Sequence, residues 1–217
     1  PRSTLFPYTT LFRSERSIGH YRQALEIRPD ALVHYNLGIA LAQEGRPDEA
    51  KESYLNAVRL KPDLAEAHAN LGKLFGTEGK FAEATRHYEA AIKSNPKDGS
   101  AHHGLALALA KQGRLKEAIP HFRKAIELSP RTVDIYFNFG TALAREGRLD
   151  EAVELFQQAL AVNPGSADAY HNLGTVMAVK GDLELAVDYF RHALQIDPAH
   201  VSANRSEEHT LNSSHER

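Results

Sequence analysis

The stretch HYNLGIALAQEGRPDEAKESYLNAVRLKP (His34–Pro62) sets the architecture of the chain, because four later copies of its pattern align with it without insertions or deletions. Each copy begins at a His or Tyr, has a glycine near its middle and ends at a proline. The terminal prolines are Pro62, Pro96, Pro130, Pro164 and Pro198. A constant period of about 34 residues is typical of repeat architectures, in which every unit packs on its neighbours.

The period divides most of the chain into equal segments. The full repeats are 31–64, 65–98, 99–132, 133–166 and 167–200. A half repeat precedes them at 15–30, and 201–204 matches the start of another repeat. Positions are counted below from the first residue of each full repeat, so that Ala31 is position 1.

Each repeat predicts two helices joined by a tight turn. Apolar residues recur at i, i+3, i+4 and i+7 in both halves, which is the spacing of amphipathic helices. The central glycine ends the first helix because Gly enters the left-handed conformation at little cost, and the proline ends the second. One helix from the half repeat and two from each full repeat give eleven expected helices between Glu15 and His200, with no strand.

The order of residues within a repeat resembles the tetratricopeptide repeat (TPR) family. An aromatic or His residue is followed by Leu-Gly, a loop Gly, Glu-Ala, an aromatic, Ala and Pro, as in the quoted stretch. The resemblance covers about 15–204. It implies an all-α fold, a right-handed superhelical solenoid of antiparallel helix pairs with five full repeats and one N-terminal half repeat. In this family the first helices line a concave groove that binds protein segments.

Composition narrows the classes of function. The 217 residues carry a formal net charge of −2 and no basic tract, so we expect no nucleic-acid partner. No apolar run is long enough to span a bilayer, so we expect no membrane partner. The absence of cysteine excludes disulfides and thiolate chemistry. The sequence does not predict the oligomeric state.

The candidate metal and catalytic residues favour structural roles. His34, His68 and His102 share position 4 with Tyr residues of later repeats, which favours packing over metal binding. Acidic pairs such as Asp48-Glu49 and Asp150-Glu151 fall where second helices begin, and there they complement the positive end of the helix dipole. No catalytic set, phosphate-binding loop or zinc spacing is found. We therefore expect no enzymatic activity, no cofactor and no metal site.

One constellation points to peptide binding. Position 6 is Asn in four repeats, and Gly104 alone breaks the series. A carboxamide can donate to and accept from a passing peptide backbone, so a row of such residues would hold an extended chain whatever its sequence. The expected row is Asn36, Asn70, Asn138 and Asn172. If it works in this way, the four amides should be unpaired; the alternative is that Asn is only a structural residue of the repeat.

Further groove residues follow from their positions on the first helices. The expected peptide-binding set adds Tyr35, Lys73, His103, Lys111, Phe137, Thr141, Arg145 and His171. Position 5 lacks the Lys of chaperone-binding TPR domains, which argues against a cochaperone role. Two functions stay open: a scaffold that binds an extended or helical partner segment in its concave groove, or the substrate-recruiting region of a larger enzyme. The second alternative follows from a resemblance of the Asn row to O-linked N-acetylglucosamine transferase arrays.

The two ends do not fit the repeat. Leu11–Ser14 can be encoded as CTC TTC CGA TCT, and the reverse complement of those codons, AGA TCG GAA GAG, encodes the Arg-Ser-Glu-Glu of Arg205–Glu208. The segment Thr4–Ser14 also resembles a translated sequencing-library adapter. We therefore expect 1–14 and 205–217 to be adapter-derived and outside the fold, so that 15–204 is an internal piece of a longer array. We also expect no helix to cap repeat five.

Overall fold

A computed structural model describes the backbone of residues 6–215 and the side chains of 15–211. It contains twelve helices and, within those residues, no strand. The helices are α1 (Phe6–Ile27), α2 (Ala31–Gln43), α3 (Pro47–Leu60), α4 (Ala65–Thr77), α5 (Phe81–Ser94), α6 (Gly99–Lys111), α7 (Leu115–Leu128), α8 (Val133–Arg145), α9 (Leu149–Val162), α10 (Ala167–Lys180), α11 (Leu183–Ile196) and α12 (Val201–His215). The predicted all-α class is confirmed, and α2–α11 follow the predicted two helices per repeat.

The chain forms two compact units, 1–113 and 114–217. The first unit holds α1–α6, and the second holds α7–α12. Within the first unit, α2 pairs with α3 and α4 with α5; within the second, α8 pairs with α9 and α10 with α11. The antiparallel helix pair is therefore the building block of both units. No helix of the described part is long and apolar enough to cross a membrane.

The turns inside the repeats follow the predicted chemistry. The loop glycines Gly45, Gly79, Gly113, Gly147 and Gly181 all have positive φ, between 72° and 90°. Two first helices are also capped by carboxylates at their start: Asp30 accepts from the backbone N–H groups of Leu32 and Val33, at 2.8 and 3.0 Å. Asp98 does the same for α6. These contacts satisfy N–H groups that a helix start leaves without partners.

In every repeat except the third, which has Ala106, an aromatic ring at position 24 packs on a glycine at position 8. A Cβ at Gly140 would lie 2.8 Å from the ring of Phe156, and a Cβ at Gly174 would lie 2.5 Å from the ring of Phe190. Both phenylalanines are almost completely buried. The glycines are therefore needed for the close approach of the ring to the first helix. This ring also forms the base of the site described below.

The last helix differs from the sequence expectation. α12 packs on α10 and α11, in the place of the first helix of another repeat. Ala203 is fully buried, and Thr210 is 5% exposed. Glu207 pairs with Arg191 at 2.9 Å, and Ser206 lies 3.3 Å from His171. The expectation that no helix follows repeat five is wrong, because this segment places small side chains on the apolar end of the fifth pair.

Candidate functional site

In the second, third and fourth repeats the side chain at position 4 contacts the loop before the repeat. The Nε2 atoms of His68 and His102 lie 3.1 Å from the carbonyl oxygens of Pro62 and Pro96, respectively. Tyr136 replaces the imidazole with a hydroxyl, which donates to the carbonyl of Pro130 at 2.9 Å. The shared contact explains why His and Tyr alternate at this position. A structural role therefore accounts for these histidines, as the sequence indicates.

Sequence reasoning missed one pair of histidines. His68 Nδ1 lies 3.0 Å from Nδ1 of His87, and the ring of Phe75 stacks on His87 at 5.3 Å between centroids. Burial, followed by the nearby His68 and Arg86, lowers the pKa of His87 to about 4. Positions 4 and 23 also face each other in the fifth repeat, where the ring centroids of Tyr170 and Tyr189 lie 6.3 Å apart. Among the described residues no group of three His, Cys, Asp or Glu side chains could hold a metal ion.

The acidic residues at the start of the second helices are held in ion pairs. Glu49 accepts from both Nε and Nη2 of Arg46, at 2.6 and 2.8 Å. Glu151 and Arg148 repeat this arrangement at 2.6 and 2.7 Å. A carboxylate that binds a neighbouring guanidinium in this two-point fashion is a poor candidate for acid–base catalysis. The structure thus gives these pairs a local structural role.

In the first unit, position 6 is engaged or filled in the second and third repeats. Asn70 forms a hydrogen bond with Tyr35, which partly offsets the rise in the pKa of Tyr35 caused by burial and Glu66. At Gly104 the space of a side chain is taken by Tyr88, whose hydroxyl oxygen lies 2.6 Å from the place of a Cβ. Burial, with Asp98 close by, raises the pKa of Tyr88 to about 12. The Asn70 amide therefore interacts with Tyr35 within the first unit.

The other predicted residues of the first unit stay dispersed. Asn36, Lys73 and Lys111 are exposed, and none of them has a hydrogen bond or an ion pair with another described residue. His103 is half-buried and is engaged within the protein. Tyr35 packs its ring on Tyr54, at 5.9 Å between centroids. The structure does not gather these residues into one cavity of the first unit.

The second unit contains a pocket that unites several predicted residues. This α8–α10 pocket has a volume of about 260 Å³ and lies between the first helices α8 and α10, over α9. The ring of Phe156 forms its base, and Leu149 and Val176 extend the apolar lining. The pocket is lined by Thr141, Ala144, Arg145, Leu149, Phe156, Asn172, Thr175, Val176 and Val179. Three predicted residues, Thr141, Arg145 and Asn172, thus meet at one site.

Three polar side chains of this pocket have no hydrogen-bond partner among the described residues. The hydroxyl oxygen of Thr141 is buried and makes no hydrogen bond. Neither the amide of Asn172 nor the guanidinium of Arg145 has a hydrogen bond or ion pair with another residue that the structure describes. Thr175, by contrast, donates its hydroxyl to the carbonyl of His171 at 3.0 Å. Unpaired donors and acceptors over an apolar base are typical of a binding site.

A second pocket lies one repeat further along the same unit. This α10–α12 pocket has a volume of about 460 Å³ and is lined by Thr175, Ala178, Val179, Leu183, Phe190, Arg205, Ser206, His209 and Thr210. All of its residues except Arg205 correspond by position to residues of the α8–α10 pocket: Phe190 takes the place of Phe156, and Ser206 that of Asn172. A pocket of this kind therefore occurs twice in the second unit, and the side chains that line it differ between the two.

The remaining predicted residues surround these pockets. Phe137 packs on the base of the first pocket, with its ring 6.2 Å from that of Phe156. His171 packs in the same way on Phe190, at 5.7 Å, and burial followed by His200 lowers its pKa. Asn138 is half-buried and is engaged within the protein. Position 5 thus supports the aromatic base instead of projecting as a separate binding group.

Solved structures with the same fold are numerous. The structure of YrrB, described as a TPR protein with an unusual peptide-binding site, is 29% identical, covers 87% of this chain and 97% of its own, and has a TM-score of 0.73. A MamA structure is 25% identical, covers 75% and 95%, and has a TM-score of 0.70. A thermophilic TPR protein from Thermus thermophilus is 22% identical, covers 84% and 99%, and has a TM-score of 0.63. No curated protein sequence matches the chain.

Family models complete the comparison. A tetratricopeptide repeat model matches residues 69–131 and 137–201, which together make up more than half of the chain. A second TPR model matches residues 40–79. Both fall on the helix pairs defined by the repeat, and the loop glycines that carry the pattern have positive φ. The chain belongs to the tetratricopeptide repeat family.

Proposed function

We propose that the protein is an interaction scaffold that binds a partner segment on its first helices, with the α8–α10 pocket as the anchor of that segment. The observation that carries the proposal is the buried, unpaired hydroxyl of Thr141 beside the unpaired amide of Asn172, above the ring of Phe156. A segment that enters the pocket would bury apolar surface and satisfy these polar groups together.

The relatives support this proposal at a general level. YrrB, of nearly the same length as the matched part, is described as having a peptide-binding site. The pocket of about 260 Å³ is smaller than the ~300–1,000 Å³ of most small-molecule sites. Its size suits one or two side chains of a peptide better than a cofactor. The alternative, a substrate-recruiting region of a larger enzyme, relied on a uniform Asn row and gains no support from the paired Asn70.

Selection from a phage-displayed library of random peptides tests the scaffold function. A pocket-filling variant, Thr175→Trp, places a large ring in the mouth of the pocket and is expected to abolish recovery of the peptides that the unmodified chain selects. Gln158→Trp is the matched control, because Gln158 is exposed on α9 and lines neither pocket. Equal recovery by both variants would refute the anchor role of the pocket.

The same variants provide a direct signal. The chain has no tryptophan, so each substitution introduces a single indole whose emission reports its surroundings. The melting temperatures of both variants should stay within a few degrees of the unmodified chain, since both replaced side chains are exposed. This comparison separates a blocked pocket from a damaged fold.

We also propose that 1–14 and 205–217 derive from adapter DNA. The support is the reverse complementarity between possible codons of Leu11–Ser14 and Arg205–Glu208. The packing of α12 on α11 is compatible with this origin, because any helix with small residues at suitable positions can cover an apolar end. Resequencing the source DNA with an unrelated adapter set tests the proposal: the two segments should disappear, and their persistence would refute it.

A further inference from the structure

We propose that the α8–α10 pocket recognises an acidic dipeptide within an extended segment, in which an aliphatic side chain is followed by Asp or Glu. The aliphatic side chain fills the pocket, and Arg145 pairs with the carboxylate. This inference rests on the proposed scaffold function and defines the chemistry of the segment that the scaffold would bind.

The apolar part of the pocket accounts for the aliphatic side chain. Phe156 forms the base, and Leu149, Val176 and Val179 surround it. The lining offers no carboxylate and no second cation, so a charged side chain would lose its hydration there without a partner. A branched aliphatic group gains burial on all of these surfaces.

Arg145 accounts for the carboxylate. Three other arginines, Arg46, Arg114 and Arg148, are each bound by a glutamate three residues further on. Arg145 is exposed at the end of α8 and has no ion pair with a described residue. A guanidinium that is left without a partner at the mouth of an apolar pocket attracts a carboxylate and can bind it at two points.

The unpaired polar groups fit the backbone that joins the two side chains. Thr141 can donate to a peptide carbonyl, and Asn172 can both donate and accept. Thr175 and Val179 are exposed on α10 at the edge of the pocket, so a bound segment can continue along this helix beyond it. A path that continues favours an acidic side chain inside a segment over the carboxylate of a chain terminus.

A paired selection tests the inference. The unmodified chain, Arg145→Glu and Arg123→Glu are used to select from one phage-displayed library of random octapeptides. Arg123 is exposed on α7 and lines neither pocket, so its variant has the same change in net charge without a change at the site. We expect Asp or Glu after Leu, Ile or Val in peptides selected by the unmodified chain and by Arg123→Glu. Arg145→Glu should lose this preference or select Lys or Arg instead.

Synthetic peptides then identify the source of the negative charge. A selected peptide, acetylated and amidated to remove its terminal charges, should lose affinity about fivefold when its acidic residue becomes Asn or Gln. Arg145→Glu should weaken binding of the acidic form by roughly tenfold or more, and Arg145→Lys should recover part of it. Fluorescence anisotropy of labelled peptides measures all of these affinities.

The outcomes separate the two proposals. If the unmodified chain selects no peptide, both the scaffold function and this inference fail. If peptides are selected but show no acidic preference, or keep it in Arg145→Glu, the inference fails while the scaffold function stands. Binding that requires a free terminal carboxylate would overturn the assignment to an internal acidic residue.

Discussion

The second and third repeats use position 6 differently from the fifth repeat. In the first unit the Asn70 amide is bound to Tyr35, and Tyr88 fills the place that a side chain on Gly104 would take. In the second unit Asn172 has no described partner and opens onto a pocket over Phe156. Equivalent positions thus serve packing in the second and third repeats and offer a binding surface in the fifth. The difference lies in the neighbouring side chains.

The largest expected effect concerns the aromatic base of the pocket. Phe156→Ala should lower the free energy of unfolding by about 3–5 kcal/mol, because the ring is almost fully buried and its loss leaves a cavity beneath Gly140. Chemical denaturation measures this change. A loss below about 1 kcal/mol would show that the ring does not support the second unit as described.

A smaller effect is expected at Gly104, where Tyr88 occupies the space of a side chain. Gly104→Asn should destabilise the protein by about 1–3 kcal/mol, because its side chain must displace the ring of Tyr88. The double variant Gly104→Asn with Tyr88→Ala should recover part of the loss, and an additive result would contradict the proposed clash.

Acid should weaken the fold through His87. Its pKa is about 4 in the folded protein, below the ordinary value near 6.5, so the folded state keeps the ring neutral where the unfolded state binds a proton. This contribution is complete above about pH 6.5 and declines as the pH falls towards 4, by no more than about 1.4 kcal/mol per pH unit. Denaturation between pH 7 and 4 should show a shallower decline for His87→Phe than for His20→Phe, which changes an exposed histidine.

The smallest effects separate the two kinds of asparagine. Asn70→Ala should cost about 0.5–1.5 kcal/mol of stability by removing the hydrogen bond to Tyr35, with little effect on peptide affinity. Asn172→Ala should change stability by less than about 0.5 kcal/mol and lower peptide affinity several-fold. Thermal denaturation and peptide titration of both variants provide the test. Identical behaviour of the two variants would contradict the different roles assigned to position 6 in the second and fifth repeats.

The sequence predicts the helix pairs well because their signals are local. Glycine conformation, proline and apolar spacing act within one repeat, so the turns at Gly45 and its equivalents follow directly. The filling of position 6 depends on residues from a neighbouring repeat, such as Tyr88 over Gly104. The sequence names Thr141, Arg145 and Asn172 as groove residues, but only packing shows that these three share one pocket. The sequence did not predict helix α12, because most of that segment lacks the repeat pattern.

A methyl NMR titration with a selected peptide locates the binding surface on the chain. If the α8–α10 pocket anchors the peptide, the largest shifts should come from the methyl groups of Leu149, Val176 and Val179, which line it. The methyl resonances of Ile39 and Leu74, which lie on α2 and α4 of the first unit, should not shift. Shifts confined to the first unit, with the three pocket residues unaffected, would contradict the assignment of the site.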